Sequence, residues 1–233
     1  MVNAEKPTDD RTECREGLVL LHGARSNVAA FEAFVAERAP QLARRHVVAA
    51  DLLARAERTG LDDTLRRDLR DTLQDIAEDR PRLVLCTCTT LGGLAEELGP
   101  ELGLSVHRID RALAEAALEA GRRILVLATA PTTLEPTANL INAVAAELAM
   151  RPEVRVHLVE GAWPLFRNGD LEGYYAAIAT AAREMAGEAD VLVLAQASMA
   201  PAKAQIGELT ASVLTSPEPG MARALALLCG PPT

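Results

Sequence analysis

LVLCTCTTLGGLAEELG, residues 83–99, can be written directly above VLVLAQASMAPAKAQIG, residues 191–207, at one constant offset of 108 (191 less 83). Each copy is an apolar run, then a small polar stretch, then a helical pattern that ends at Gly99 or Gly207. Cys88 stands over Gln196, Thr89 over Ala197 and Thr90 over Ser198. A second pair, VLLHGARS from Val19 and LVLATAPT from Leu125, aligns at an offset of 106 (125 less 19). Any two strand–turn–helix units share some of this pattern. The alternative is two similar α/β halves whose strand ends meet at a cleft, and open α/β sheets bind ligands just beyond the carboxyl ends of their strands.

Outward from this pair, short apolar runs alternate with longer Ala/Leu/Glu/Arg stretches of helical period. Strands are expected at Leu18–His22, Arg82–Thr87, Ser105–Arg108, Arg123–Ala128, Val154–Val159, Asp190–Ala195 and Ser212–Leu214, with a shorter one through His46–Val48. From Asp62 to Ala77, the residues Leu65, Leu69, Leu73, Ile76 and Ala77 mark one apolar helical face. The strand runs are continuously apolar, as in a parallel sheet covered by helices on both faces. The fold class is therefore α/β: two similar units with parallel sheets related by a pseudo-twofold axis, with the active site in the cleft between them. The expected division is a flexible tail over 1–16, a first α/β domain over 17–113 and a second over 114–207. Residues 208–233 supply a strand and a helix that return to the first domain.

The 233 residues are 49% hydrophobic and 24% charged, enough for a real core and against a disordered chain. Lys and Arg total 24 against 33 Asp and Glu, a net charge of -9, which argues against a nucleic-acid surface. Four cysteines do not make a disulfide scaffold, and no C-x2-C or H-x3-H spacing marks a zinc site. Cys86 and Cys88 form a C-x-C, the wrong spacing for a thioredoxin-like pair. The start is polar and acidic, unlike a secretory signal, and no apolar stretch is long enough to span a membrane. A soluble cytoplasmic protein with reduced thiols is expected.

Cys88 is the strongest candidate for chemistry. It follows the strand Leu83–Leu85 and precedes a helix, where unpaired N–H groups and the helix dipole favour a thiolate. The same N–H groups, with Thr89 and Thr90, suit a carboxylate, and Gly92 and Gly93 would keep the entrance open. Cys86, two residues upstream, reads as core. Thr129, Thr132 and Thr133 follow another strand and either cap the next helix or bind an anion. Pro136 falls in that helix's first turn. Glu160 and His22 end strands and are candidate acids or bases. Trp163 and Phe166 are the aromatics most apt to approach a ligand.

TCTT at Thr87–Thr90, VLATAPTTLEPT at Val126–Thr137, LVEGAW at Leu158–Trp163 and VLVLAQASMA at Val191–Ala200 together resemble the aspartate/glutamate/hydantoin racemase superfamily. The likeness runs from about Leu18 to Leu228. It implies a cofactor-independent enzyme of two α/β domains acting on a small carboxylate. It also implies one cysteine on each side of the substrate carbon. Cys88 matches the first cysteine, and Thr89 and Thr90 match the polar pair that follows it. Gln196 occupies the second cysteine's position, and Ser198 lies where a His or another polar residue is usual. An amide is no general acid or base near neutral pH, but it can donate a hydrogen bond to an enolate. The resemblance thus implies a racemase or epimerase with Cys88 and Gln196 catalytic. Thr89, Thr90, Thr132, Thr133, Ser198, His22 and Glu160 would be substrate-binding, with His22 or Glu160 serving the second face. Alternatives are a single-cysteine decarboxylase like arylmalonate decarboxylase, a cis-trans isomerase of an unsaturated diacid, and a binding protein without turnover. The expected partners are a small carboxylate, neither nucleic acid nor membrane, with a homo-oligomer left open. No cofactor and no metal are expected.

Overall fold

Both aligned apolar runs form central strands of parallel sheets. The computed structural model describes residues 17–229, so the tail expected over 1–16 lies outside the described residues. Its strands are β1 (Leu18–His22), β2 (Arg44–Val48), β3 (Leu83–Cys86), β4 (Val106–Arg108), β5 (Arg123–Ala128), β6 (Glu153–Leu158), β7 (Val191–Leu194) and β8 (Ser212–Thr215). They form two four-stranded sheets, β2-β1-β3-β4 and β6-β5-β7-β8, parallel at every pairing. Leu18 pairs with Leu83, and Ile124 pairs with Val191. The offsets of 106 and 108 therefore hold together in paired strands, and the sequence repeat is a repeat of structure.

Among the described residues, ten α-helices connect and cover these sheets: α1 (Asn27–Arg38), α2 (Ala50–Thr59), α3 (Asp63–Glu78), α4 (Thr89–Leu98), α5 (Arg111–Ala120), α6 (Pro131–Glu147), α7 (Ala162–Arg167), α8 (Leu171–Met185), α9 (Lys203–Ile206) and α10 (Pro217–Cys229). α3 begins where Asp62 accepts a hydrogen bond from the Leu65 N–H at 2.8 Å, satisfying one orphan donor of the first turn. Its Leu65, Leu69, Leu73 and Ile76 are fully buried, as the apolar spacing predicts. Odd-numbered strand residues Val19 and Leu21 pack on α2, α3 and α4, whereas Leu18 and Leu20 pack on α1 and α10. In the second sheet Leu125 and Leu127 face α8, while Val126 and Ala128 face α5 and α6.

Two boundaries differ from expectation. β8 pairs with β7 and stays in the second sheet; only α10 crosses back, placing Met221, Ala224 and Leu228 against Leu18, Leu20 and Ile109. A division at 113/114 would cut through α5, which lies wholly on the second sheet through Leu113, Ala114, Ala117 and Leu118. The helix after the fourth strand of each sheet thus covers the other sheet. Cys86 and Cys88 are free thiols. Among the described residues, no helix is long and apolar enough to cross a membrane.

A buried ion pair sits at the seam between the units. Arg108 donates to Asp110 through Nε at 2.6 Å and Nη2 at 2.9 Å, with the two side chains 8% and 1% exposed. A Cβ on Gly92 or Gly93 would meet Arg108 at 3.2 Å, so these glycines admit the arginine over α4 and do not line the ligand cavity. Asp110→Ala would leave the guanidinium buried and unpaired, with an expected loss of about 3–5 kcal/mol in urea unfolding. Replacing both partners by Arg108→Met and Asp110→Leu should recover most of it. A loss below about 1 kcal/mol from Asp110→Ala would mean that water reaches the pair.

Candidate active site

The carboxyl ends of β1, β3, β5 and β7 converge on one cavity of ≈ 40 Å³, room for a water or two in this closed form. Cys88 and Gln196 both line it, across from one another in the repeat. Gly23, Thr87, Thr133, Ser198, Trp163 and Phe166 are among the other wall residues, and none of the wall residues carries a charge. Each functional side chain owes its place to the same local device. An apolar strand ends, two residues follow, the second of them extended, and a helix starts: Cys88 has φ -102° and ψ 110° before α4, and Gln196 has φ -110° and ψ 140° before a 3-10 turn at Ala197–Ala202.

Cys88 is 9% exposed. Burial works against the thiolate expected at the start of α4. Burial pushes the thiol up to about 11, outweighing the Leu91 and Thr90 N–H groups and the Thr90 hydroxyl, which favour the anion. Asp110 adds a smaller push in the same direction as burial. At rest the sulfur is a protonated acid. Gly23, which composition and motif reading did not single out, lies directly against it: a Cβ there would sit 2.6 Å from Cys88 Sγ.

Gln196 occupies the matching place in the second unit, but its carbonyl is already engaged. Oε1 accepts from the Thr129 N–H at 2.7 Å, the Thr129 hydroxyl at 2.9 Å and the Ala130 N–H at 3.1 Å. Two backbone donors fix which end of the amide is oxygen, so the NH2 group is the end left for the cavity. Thr129 also meets Tyr174 at 3.2 Å, and the Tyr174 hydroxyl meets Ser198 at 2.9 Å. Tyr174 is fully buried, and burial raises its pKa above the ordinary value despite these two bonds. Its role is invisible to strand-end motifs because it comes from α8.

The remaining candidates separate. The Thr89 hydroxyl donates to the Ala195 carbonyl at 3.0 Å, and the Thr90 hydroxyl meets that of Thr132 at 3.3 Å; both bonds tie the first unit to the second. Thr133 borders the cavity and Thr132 does not. Glu160 is exposed beyond β6 and away from the cavity wall. His22 is buried behind Thr87, on the same side as Cys88, which leaves it no access to the opposite face. Trp163 on α7 donates to Glu57 on α2 at 2.9 Å and stacks on Phe166 with ring centroids 5.0 Å apart, so the two units also close over the cavity mouth. Among the described residues no group of three or more His, Cys, Asp or Glu could hold a metal ion.

Two like parallel-sheet units that meet at the Cys88 thiol and the fixed Gln196 amide define a repeated-unit α/β protein with a cavity between its sheets. The chain belongs to the Asp/Glu/hydantoin racemase family, whose sequence profile matches residues 19–222. No curated protein matches it significantly. Its fold resembles glutamate racemase isoform RacE1 from Bacillus anthracis, at 14% identity and TM-score 0.65 over 92% of this chain and 84% of that one. It also resembles an aspartate racemase homologue from Pyrococcus horikoshii OT3, at 15% identity and TM-score 0.61 over 92% and 99%. A Gly74Cys mutant of arylmalonate decarboxylase is similar at 17% identity and TM-score 0.53 over 92% and 94%.

Proposed function

We propose that this protein is a cofactor-independent enzyme that moves a proton at the α-carbon of a small carboxylate or amino-acid derivative. Cys88 is the group that takes and returns the proton, and the Gln196 amide donates a hydrogen bond to the developing enolate. The observation that carries this reading is the placement of Cys88 and Gln196 at equivalent positions of the repeat on one uncharged cavity. Such a wall stabilises developing charge by oriented N–H and O–H dipoles rather than by ion pairs. It offers no carboxylate to an α-ammonium group, which favours acids whose nitrogen is acylated or absent. One-face protonation after loss of CO2 is the second reading, supported by a thiol that rests in its acid form.

Incubation in D2O with free amino acids, hydantoins, substituted malonates and maleate separates these chemistries. The expected result is solvent deuterium at the α-carbon of a hydantoin or an N-acyl amino acid, and none with Cys88→Ala. CO2 release with deuterium on one face only would establish the second reading, and double-bond migration in maleate would establish an isomerase of unsaturated acids. Silence across the panel, with wild type and Cys88→Ala alike, would sink the proposal.

A further inference from the structure

A line of four polar side chains leads from the cavity to the surface on the Cys88 side. Thr87, which borders the cavity, holds its Oγ1 2.7 Å from His22 Nδ1. His22 Nε2 lies 2.8 Å from His46 Nδ1, and His46 Nε2 lies 3.0 Å from Glu32 Oε2. His22 is fully buried, whereas the Glu32 side chain is 43% exposed. We propose that this line is a proton wire through which His46, steadied by Glu32, takes the proton of the Cys88 thiol and gives it back. The proposal rests on the reading of Cys88 as the proton-transfer group, and it makes His46 the remote base that the cavity itself lacks.

The geometry allows two polarities, both fully bonded. In the first, Thr87 donates to His22 Nδ1, His22 Nε2–H donates to His46 Nδ1, and His46 Nε2–H donates to Glu32. In the second, His46 carries both protons and donates to His22 Nε2 and to Glu32. His22 then donates from Nδ1 to Thr87, and Thr87 donates to the Leu21 carbonyl at 3.3 Å. One proton converts the first into the second. A water in the cavity takes the S–H proton of Cys88 and gives one of its own to Thr87 Oγ1, and the Thr87 proton moves to His22 Nδ1. The His22 Nε2 proton moves to His46 Nδ1, leaving a thiolate in the cavity and an imidazolium beside the Glu32 carboxylate. The reverse passage restores every bond, so removal and return of an α-proton needs no separate reset. No oxidant, metal or second substrate enters the balance.

The groups facing the wire agree with this assignment. Glu32 from α1 is held as a carboxylate, down to about 2, first by Arg44 and then by His46 of β2. His22 is kept neutral, down to about 4, by burial and then by His46, so the charge belongs on His46. Phe31 covers the His22 ring at 5.5 Å, and the His22 and His46 rings stack at 5.1 Å, which holds both nitrogens in line. At the inner end the charged or titratable neighbours of Cys88 include Asp110 after β4 and Cys86 on β3.

Two measurements test the wire on the full chain. With the acid that shows Cys88-dependent exchange, His46→Gln and His22→Gln should lower kcat at least about tenfold with KM little changed. Their rates should climb with pH as the thiol ionises directly, more steeply than the wild-type rate. Thr87→Val should behave alike and Thr87→Ser should recover. A packing defect would lower the rate without moving the profile, and variants with the wild-type profile would overturn the proposal. The second measurement uses imidazole 15N spectra of the wild type and needs neither substrate nor variant. Near neutral pH His22 should carry its proton on Nε2, and the proton should move to Nδ1 as His46 becomes charged on acidification. A His22 that keeps one tautomer throughout the titration of His46 overturns the wire and leaves the function of Cys88 untouched. A panel without any exchange removes that function and leaves the tautomer result standing.

Discussion

Cys88→Ala should lower α-proton exchange by about three orders of magnitude or more while leaving the folded structure in place, because among the described residues it removes the only titratable side chain on the cavity wall. Cys88→Ser should be nearly as inactive, since a hydroxyl is a far weaker acid than a thiol. Alkylation by iodoacetamide gives an independent reading of the same group. With the thiol pushed up to about 11 by burial, labelling should be slow at neutral pH and rise about tenfold per pH unit. Cys86 is buried, and its thiol is driven higher still, so mass spectrometry should find the label on Cys88 before Cys86. The sign of the linkage follows. A folded-state pKa above the ordinary value of 9.0 contributes stability that is whole below that value and is lost as pH rises through about 11. Full exchange activity in Cys88→Ala would make Cys88 a small core residue and end the mechanism argued here.

Gly23→Ala should cost about a hundredfold in rate without touching a polar group. The new methyl would stand 2.6 Å from Cys88 Sγ and 3.1 Å from both Cys88 Cβ and Leu53 Cδ2, closer than atoms pack, so the thiol must turn away. A displacement of about 1 Å at a reacting atom is enough for a loss of that size. Overpacking should also cost about 1–3 kcal/mol of stability. Trimming the other neighbour with Leu53→Ala tests the cause: it should return part of the stability, and part of the rate only if the thiol swings back. Unchanged exchange in Gly23→Ala would show that the sulfur is mobile in the working enzyme.

Much of this was legible in the sequence. The central strands announced themselves because β1, β3, β5 and β7 are buried on both faces and use unbroken aliphatic runs. The edge strand β2 was half missed, since Arg44 and Arg45 open it and spend their charges on Glu32 and Asp79 outside the sheet. Cys88 and Gln196 could be found because a repeat aligns equivalent positions. Gly23 aligns with Thr129 in the weaker pair, and that alignment was the available signal for it. In one unit a missing side chain makes room for sulfur, and in the other a hydroxyl and two N–H groups grip an amide oxygen. Tyr174 and Glu57 could not be read off, because they reach the site from helices whose packing, not spacing, brings them there. The glycines Gly92 and Gly93 were misread for the same reason, as only the fold shows Arg108 lying over them.

The exchange of covering helices has a consequence for how the chain comes to be folded. A ribosome delivers β1 to β4 first, yet the face of Leu18, Leu20 and Ile109 has only α1 to cover it until Met221, Ala224 and Leu228 arrive more than a hundred residues later. In the same interval α5 has left to cover a sheet whose strands do not yet exist. The nascent first half is therefore half-clad, a target for chaperones and a risk for aggregation. The first unit can therefore complete its core only after the second has been made. Their resemblance to each other conceals this dependence. A cut between β4 and α5 would leave the first piece without the helix that closes its core, while the second would keep every helix over its own sheet and carry α10 with its apolar face bare.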